Sequence, residues 1–255
     1  MKKFTPHTAL AALLAIGSLA ISGCGASVDQ ELVDSAGAHG NALEAVYVIY
    51  NQDVLKSASS RDLKDVNAAL KAEDPKKATE GDLRRAQEEI DSRIDKLDAY
   101  KKKLSAANKK LRSTPAPDFA GSLDQSADSA KFAADYKKST QITENMGTAA
   151  VGALSYATSA FEKYLDFLEA WEGYLDSGET ATFVSTANAS DKAYSRLQRQ
   201  IKIVDAKGSL TKRLDPLVGS MADVASEDAQ INSLISDLRE QFPKSFLPVH
   251  IVEKN

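Results

Sequence analysis

The chain has one cysteine, Cys24, three histidines and a single tryptophan in 255 residues. A lone cysteine excludes an intramolecular disulfide and every metal or redox site that needs paired thiols. Only His39 and His250 lie beyond the first 23 residues, and neither has a glutamate three positions earlier. The E-x-x-H pairs of di-iron bundles are therefore missing, as is the C-x-x-C-H of haem attachment, so both histidines read as surface or loop residues. No metal and no cofactor is expected. G-x-S-x-G, H-E-x-x-H and phosphate-binding glycine loops are absent, and the chain is not expected to be an enzyme. There is no basic excess either: 32 Lys and Arg stand against 36 Asp and Glu. With no basic-aromatic motif, a nucleic-acid partner is not expected.

Long apolar runs are also scarce. One covers residues 8–21, about 14 residues, too few to cross a hydrocarbon core of about 30 Å as a helix. It follows Lys2 and Lys3 and ends in small residues, the three-part pattern of a secretory signal. The run closes on Leu19-Ala20-Ile21-Ser22-Gly23-Cys24. Ile21-Ser22-Gly23-Cys24 resembles the lipobox of bacterial lipoproteins, an aliphatic residue and two small ones before cysteine. The resemblance implies removal of residues 1–23 as a signal peptide and lipidation of Cys24, leaving 24–255 as a lipid-anchored helical domain. Each buried acyl CH₂ contributes about 0.8 kcal/mol, and several chains make a stable anchor. Gly25 follows the cysteine where an Asp would imply retention at the inner membrane. By resemblance to Gram-negative lipoproteins, the expected address is the periplasmic face of the outer membrane.

The mature part reads as helix after helix, and its six prolines (Pro75, Pro115, Pro117, Pro216, Pro243 and Pro248) stand where helices are expected to begin or end. A first helix starts near Val28 with Ser27 as cap, locally weakened by Gly37 and Gly40. A short one covers 61–72 behind Ser60. Then Leu83, Ile90, Leu97, Leu104 and Leu111 recur every seven residues, a coiled-coil-like seam of about 45 Å behind Thr79. Residues 121–176 predict one long or kinked helix, or two joined near 139–143. Its second half carries Leu154, Ala157, Phe161, Tyr164, Leu168, Trp171 and Leu175, and Gly178 ends it. Residues 179–189 read as a loop, and a helix over 191–206 follows Ser190 and closes at Gly208. A last helix begins near Pro216 with Asp215 as cap, and Asp228 interrupts its seam. The tail, 243–255, is extended, lying across the bundle or pairing as a strand. Seams of this length must pack on one another. The fold expected is all-α: an elongated antiparallel helical bundle with coiled-coil-like seams and an extended C-terminal tail. A homodimer through the Leu83 to Leu111 seam is the competing use of the same pattern.

Three features carry chemistry. The aromatic run includes Tyr164, Phe167, Trp171 and Tyr174, more rings than one seam can use. These could line a cleft for an apolar ligand such as a lipid tail, or form ordinary core with an amphipathic rim. Lys101, Lys102, Lys103, Lys109, Lys110 and Arg112 occur with no acid between Asp98 and Asp118. They suit anionic head groups or acidic cell-wall polymer, but read first as a solvated helix end whose cations suit the negative pole of the macrodipole. Ser209-Leu210-Thr211-Lys212 matches the S-x-x-K of penicillin-binding proteins, but the S-D-N and K-T-G elements are missing, and it reads as coincidence. Tyr174-Leu175, Gly178 and Phe183-Val184 also resemble a stretch of uncharacterised enterobacterial helical lipoproteins, from which no site residue carries over. The sum is an envelope lipoprotein that binds an envelope protein or the cell wall. Carriage or sensing of an apolar ligand is the alternative, and immunity or exclusion a third.

Overall fold

The computed structural model describes residues 28–51, 75–206 and 209–247. Of these, 89% are helical and none is in a strand, which makes the fold an all-α bundle. Residues 1–23, Cys24, the helix expected over 61–72, Gly208 and the tail beyond Leu247 lie outside the described residues. The helices are α1 (Gln30–Ile49), α2 (Glu80–Ser113), a short turn α3 (Phe119–Ser122), α4 (Ala127–Ser177), α5 (Thr180–Ala206), α6 (Leu210–Glu227) and α7 (Ala229–Gln241).

The spine is α4, 51 unbroken residues and about 75 Å long at 1.5 Å per residue. Ser126 caps it by accepting from the Ser129 amide. The break considered near 139–143 does not occur. Ser139 donates to the Tyr136 carbonyl at 2.7 Å and Thr143 to the Ser139 carbonyl at 2.9 Å. These hydroxyls are thereby satisfied inside the bundle without opening the helix. Gly178 ends α4 in the left-handed conformation, φ 74°.

Two sets of helices clothe the spine. Along its first third, α6 runs antiparallel: Ser126 Oγ bonds Asp228 Oδ2 at 3.4 Å, and Lys131 bonds Ser220. Further along, α2 runs antiparallel, with Arg112 reaching Thr148 at 2.7 Å and Asp98 accepting from Thr158 at 3.3 Å. Leu83, Ile90, Leu97, Leu104 and Leu111 are 0–3% exposed, each contributing about 1.5–3 kcal/mol by burial. That seam is filled within the chain, so a homodimer through it would require lifting α2 away from its neighbours. Thr79 and Asp82 cap α2 reciprocally.

Four boundaries differ from the sequence reading. The cap of α1 is Asp29, whose carboxylate accepts from Glu31 N at 3.0 Å. Residues 180–189, expected within a loop, are helical, and Ser190 lies inside α5. Phe183, Ala187, Ser190, Tyr194, Leu197, Ile201 and Val204 alternate four and three residues apart, a seam strong enough to carry the helix over the earlier Thr and Ala stretch. Ser209, not Asp215, caps α6, and Pro216 sits inside that helix on its exposed side. There the ring withholds a donor only from a solvent-facing carbonyl, which water can serve. Finally, Asp228 ends α6 and caps α7, accepting from Gln230 N and Ile231 N at 2.9 and 3.0 Å. The apparent flaw in one seam is the junction of two helices.

Past α7 the chain turns at Pro243 and Lys244 in place of an extended run, and Phe246 and Leu247 are buried in helical backbone. The turn lies on α1 because of Gly37 and Gly40. A Cβ at Gly37 would overlap the Phe242 ring, and one at Gly40 the Ser245 hydroxyl. Those glycines allow close approach as well as weakening a helix.

Candidate functional site

The four aromatic candidates divide into two groups. Trp171 and Tyr174 stand near the turn of the α4–α5 hairpin, around Phe183. The Phe183 ring lies 5.0 Å from Tyr174 in a stacked arrangement, 5.9 Å from Trp171 edge-on, and 5.4 Å from Phe167. Such pairs contribute about 0.5–1.5 kcal/mol each beyond burial. Together they clasp α5 to α4, and α5 packs mainly on α4.

Tyr164 and Phe167 stand one to two turns further from the hairpin turn and line a cleft of about 270 Å³ between the two helices. The cleft is there because Ala160 on α4 and Ala187 and Ser190 on α5 are small where a seam ordinarily holds a large side chain. Tyr194 and Asp191 complete it. Burial pushes the Tyr164 phenol well above its ordinary range, so it is a neutral hydroxyl there. Sequence reading found two of the walls. It missed Tyr194, Ser190 and Asp191, for which the four-three spacing of α5 was the available signal.

The basic run is split by helix geometry. Lys109 and Arg112, with Ser105, Asn108, Ser113, Thr148 and Val151, line an open groove of about 410 Å³ on the flank facing α4. Lys101 bridges Asp98 at 2.9 Å, and Lys103 lies 5.9 Å over the ring of Tyr100. Lys110 is about a quarter turn or more from Lys109 and Arg112, toward the opposite flank, and Lys102 is exposed. The six cations therefore do not form one patch. Asn108 is buried against Gly147, where a Cβ would overlap its amide, and its Oδ1 has no hydrogen-bond partner.

His39 is 2% exposed, correcting its reading as a surface residue. Its Nδ1 meets the Tyr136 hydroxyl at 2.7 Å, and burial lowers its pKa. Burial also drives the Tyr136 phenol well above its usual range. The S-x-x-K match dissolves into a cap: Ser209 Oγ accepts from Lys212 N at 3.2 Å. Among the described residues no group of three or more His, Cys, Asp or Glu is placed to hold a metal ion, and no helix is long and apolar enough to cross a membrane. The position proposed for lipidation, Cys24, lies outside the described residues.

No protein family, no curated protein and no solved structure matches the chain.

Proposed function

We propose that the chain is a lipid-anchored envelope protein that acts by binding, its bundle presenting a recognition surface to an envelope protein or to the cell wall. The polarity of the rod supports this reading. His39 pairs with Tyr136, and Tyr47 with Thr211 at the start of α6, so α1 runs parallel to α4. Gln30 therefore points toward the N-terminal end of α4, and the hairpin turn at Gly178 is at the other. Five residues, 25–29, separate Cys24 from α1, a reach of at most about 18 Å. An acyl anchor on Cys24 would hold one end of the rod and leave the hairpin at the other, up to about 75 Å away.

The test has two parts. Radiolabelled palmitate should enter the wild-type chain and be lost in Cys24→Ala, with release from the membrane fraction. Photo-crosslinkers at the exposed Val184 and Tyr156 should then give adducts with one envelope protein or with peptidoglycan in intact cells. A chain that keeps residues 1–23 and never meets the membrane would refute the anchoring.

The cleft beside Tyr164 supports a second reading, in which the bundle carries or senses a small ligand. Native mass spectrometry should then find a bound mass that Ala187→Leu, by filling the cleft, removes.

A further inference from the structure

The α4–α5 cleft has aromatic walls and one carboxylate, and that combination selects charge. Tyr164 and Phe167 form one side, their centroids 5.8 Å apart and their planes tilted by 50°, so they present two differently directed faces. Tyr194 faces them from α5. Asp191 lies at the exposed edge and Ser190 within, 8% exposed. Lys163, beside Tyr164 in sequence, is held by Asp166 at 2.8 Å.

Each ligand class can be weighed against this lining. An anion would meet the negative faces of the rings and a carboxylate. A wholly apolar ligand would leave Ser190 and Asp191 unmatched. An ammonium group is drawn to the ring faces and gains the charge of Asp191, and neither attraction needs an N–H, so a quaternary ammonium ion satisfies both. At about 270 Å³ the cleft falls just below the usual range of small-molecule pockets, which limits it to a small ligand.

We propose that this cleft binds a small organic ammonium ion, with Tyr164, Phe167 and Tyr194 around the cation and Asp191 as its counter-charge. The proposal rests on the second reading above and narrows it from any small ligand to a cationic one. The ammonium group has two possible sources, a free amine or a lipid head group.

The full-length chain would be titrated with choline and with 3,3-dimethyl-1-butanol, which replaces the charged nitrogen by carbon. Trp171, the only tryptophan, lies 5.5 Å from the Phe167 ring and reports through its fluorescence. Choline should bind saturably, and the neutral isostere at least about tenfold more weakly, equivalent to about 1.4 kcal/mol. Asp191→Asn, an exposed change, should weaken choline about tenfold with an unaltered melting curve. Ala187→Leu should abolish binding. Displacement of choline by phosphatidylcholine vesicles would assign the group to a head group, and indifference to them would assign it to a free amine; either outcome keeps the proposal. Equal binding of choline and its isostere would overturn the cationic assignment while sparing a ligand-carrying cleft. No saturable change with either probe, confirmed by equilibrium dialysis, would overturn both.

Discussion

The Nδ1 atom of His39 lies 2.7 Å from the hydroxyl oxygen of Tyr136, and both residues are at most 2% exposed, so a polar bond joins α1 to α4 inside an apolar core. Phe119 packs edge-on against the same tyrosine at 5.0 Å and closes one side of the pair. Removing one partner leaves the other buried and unsatisfied, which costs more than the bond itself contributes. Tyr136→Phe should therefore lower unfolding free energy by about 1–3 kcal/mol, measured by urea denaturation. A loss below a few tenths would mean that water replaces the hydroxyl.

The same histidine gives the bundle a pH dependence. Burial holds its folded pKa below the ordinary value, while the unfolded chain titrates near 6.5. Between those two values the unfolded state binds more protons, so stability rises with pH. The contribution is complete above about pH 6.5 and is lost as pH falls toward the folded pKa, by at most about 1.4 kcal/mol per pH unit. Urea midpoints between pH 7.5 and 5 should fall in wild type and much less in His39→Gln. Parallel curves would assign the acid sensitivity to other groups.

Periodicity made the seams legible, and burial followed it: Leu83, Ile90, Leu97, Leu104 and Leu111 are all buried. What sequence could not supply was which polar residue is a flaw and which a joint. Asp228 looked like an error in an apolar stripe, because capping depends on where the chain turns. His39 looked like a surface residue, because its partner is 97 positions away. Thr180 to Ala189 carry weak helix formers, and tertiary packing of the Phe183 face outweighed that propensity. The cleft was half legible: large rings mark its walls, but its space is made by alanines and a serine, which pattern reading passes over. The basic run is contiguous in sequence but divided in space, since consecutive helix residues point 100° apart.

Asp228 ends one helix and starts the next, so its carboxylate can be tested as a cap. Asp228→Ala removes the acceptor for the Gln230 and Ile231 amides and should cost about 0.5–2 kcal/mol. Asp228→Asn, which keeps an acceptor, should lose only a few tenths. If the alanine variant were more stable, α6 and α7 would be better read as one helix held bent by packing.

Gly40 sets two effects against each other. Alanine should favour the helix by about 1 kcal/mol, but its methyl would overlap the Ser245 hydroxyl, in a residue 0% exposed. Overpacking of a filled site costs about 1–3 kcal/mol, so Gly40→Ala should be net destabilising. Hydrogen exchange should then rise selectively over 242–247. Adding Ser245→Ala should recover part of the loss, since the overlapping oxygen is gone and no described bond to it is lost. A single variant more stable than wild type would show that the tail shifts without penalty.

Phe183 tests whether the hairpin behaves as a unit of its own. Its ring touches Phe167, Trp171 and Tyr174, all on α4. Because α5 packs mainly on that one helix, few contacts elsewhere can compensate. Truncating a buried phenylalanine costs about 3–5 kcal/mol; Phe183 is only half-buried, so Phe183→Ala should cost less, about 2 kcal/mol. The loss should appear locally. Exchange should quicken across 180–200, while α1 and α6, which contact the opposite end of α4, keep their protection. Uniform acceleration over all helices would mean that the rod unfolds as one cooperative body, and that the hairpin cannot open separately to admit or release a ligand.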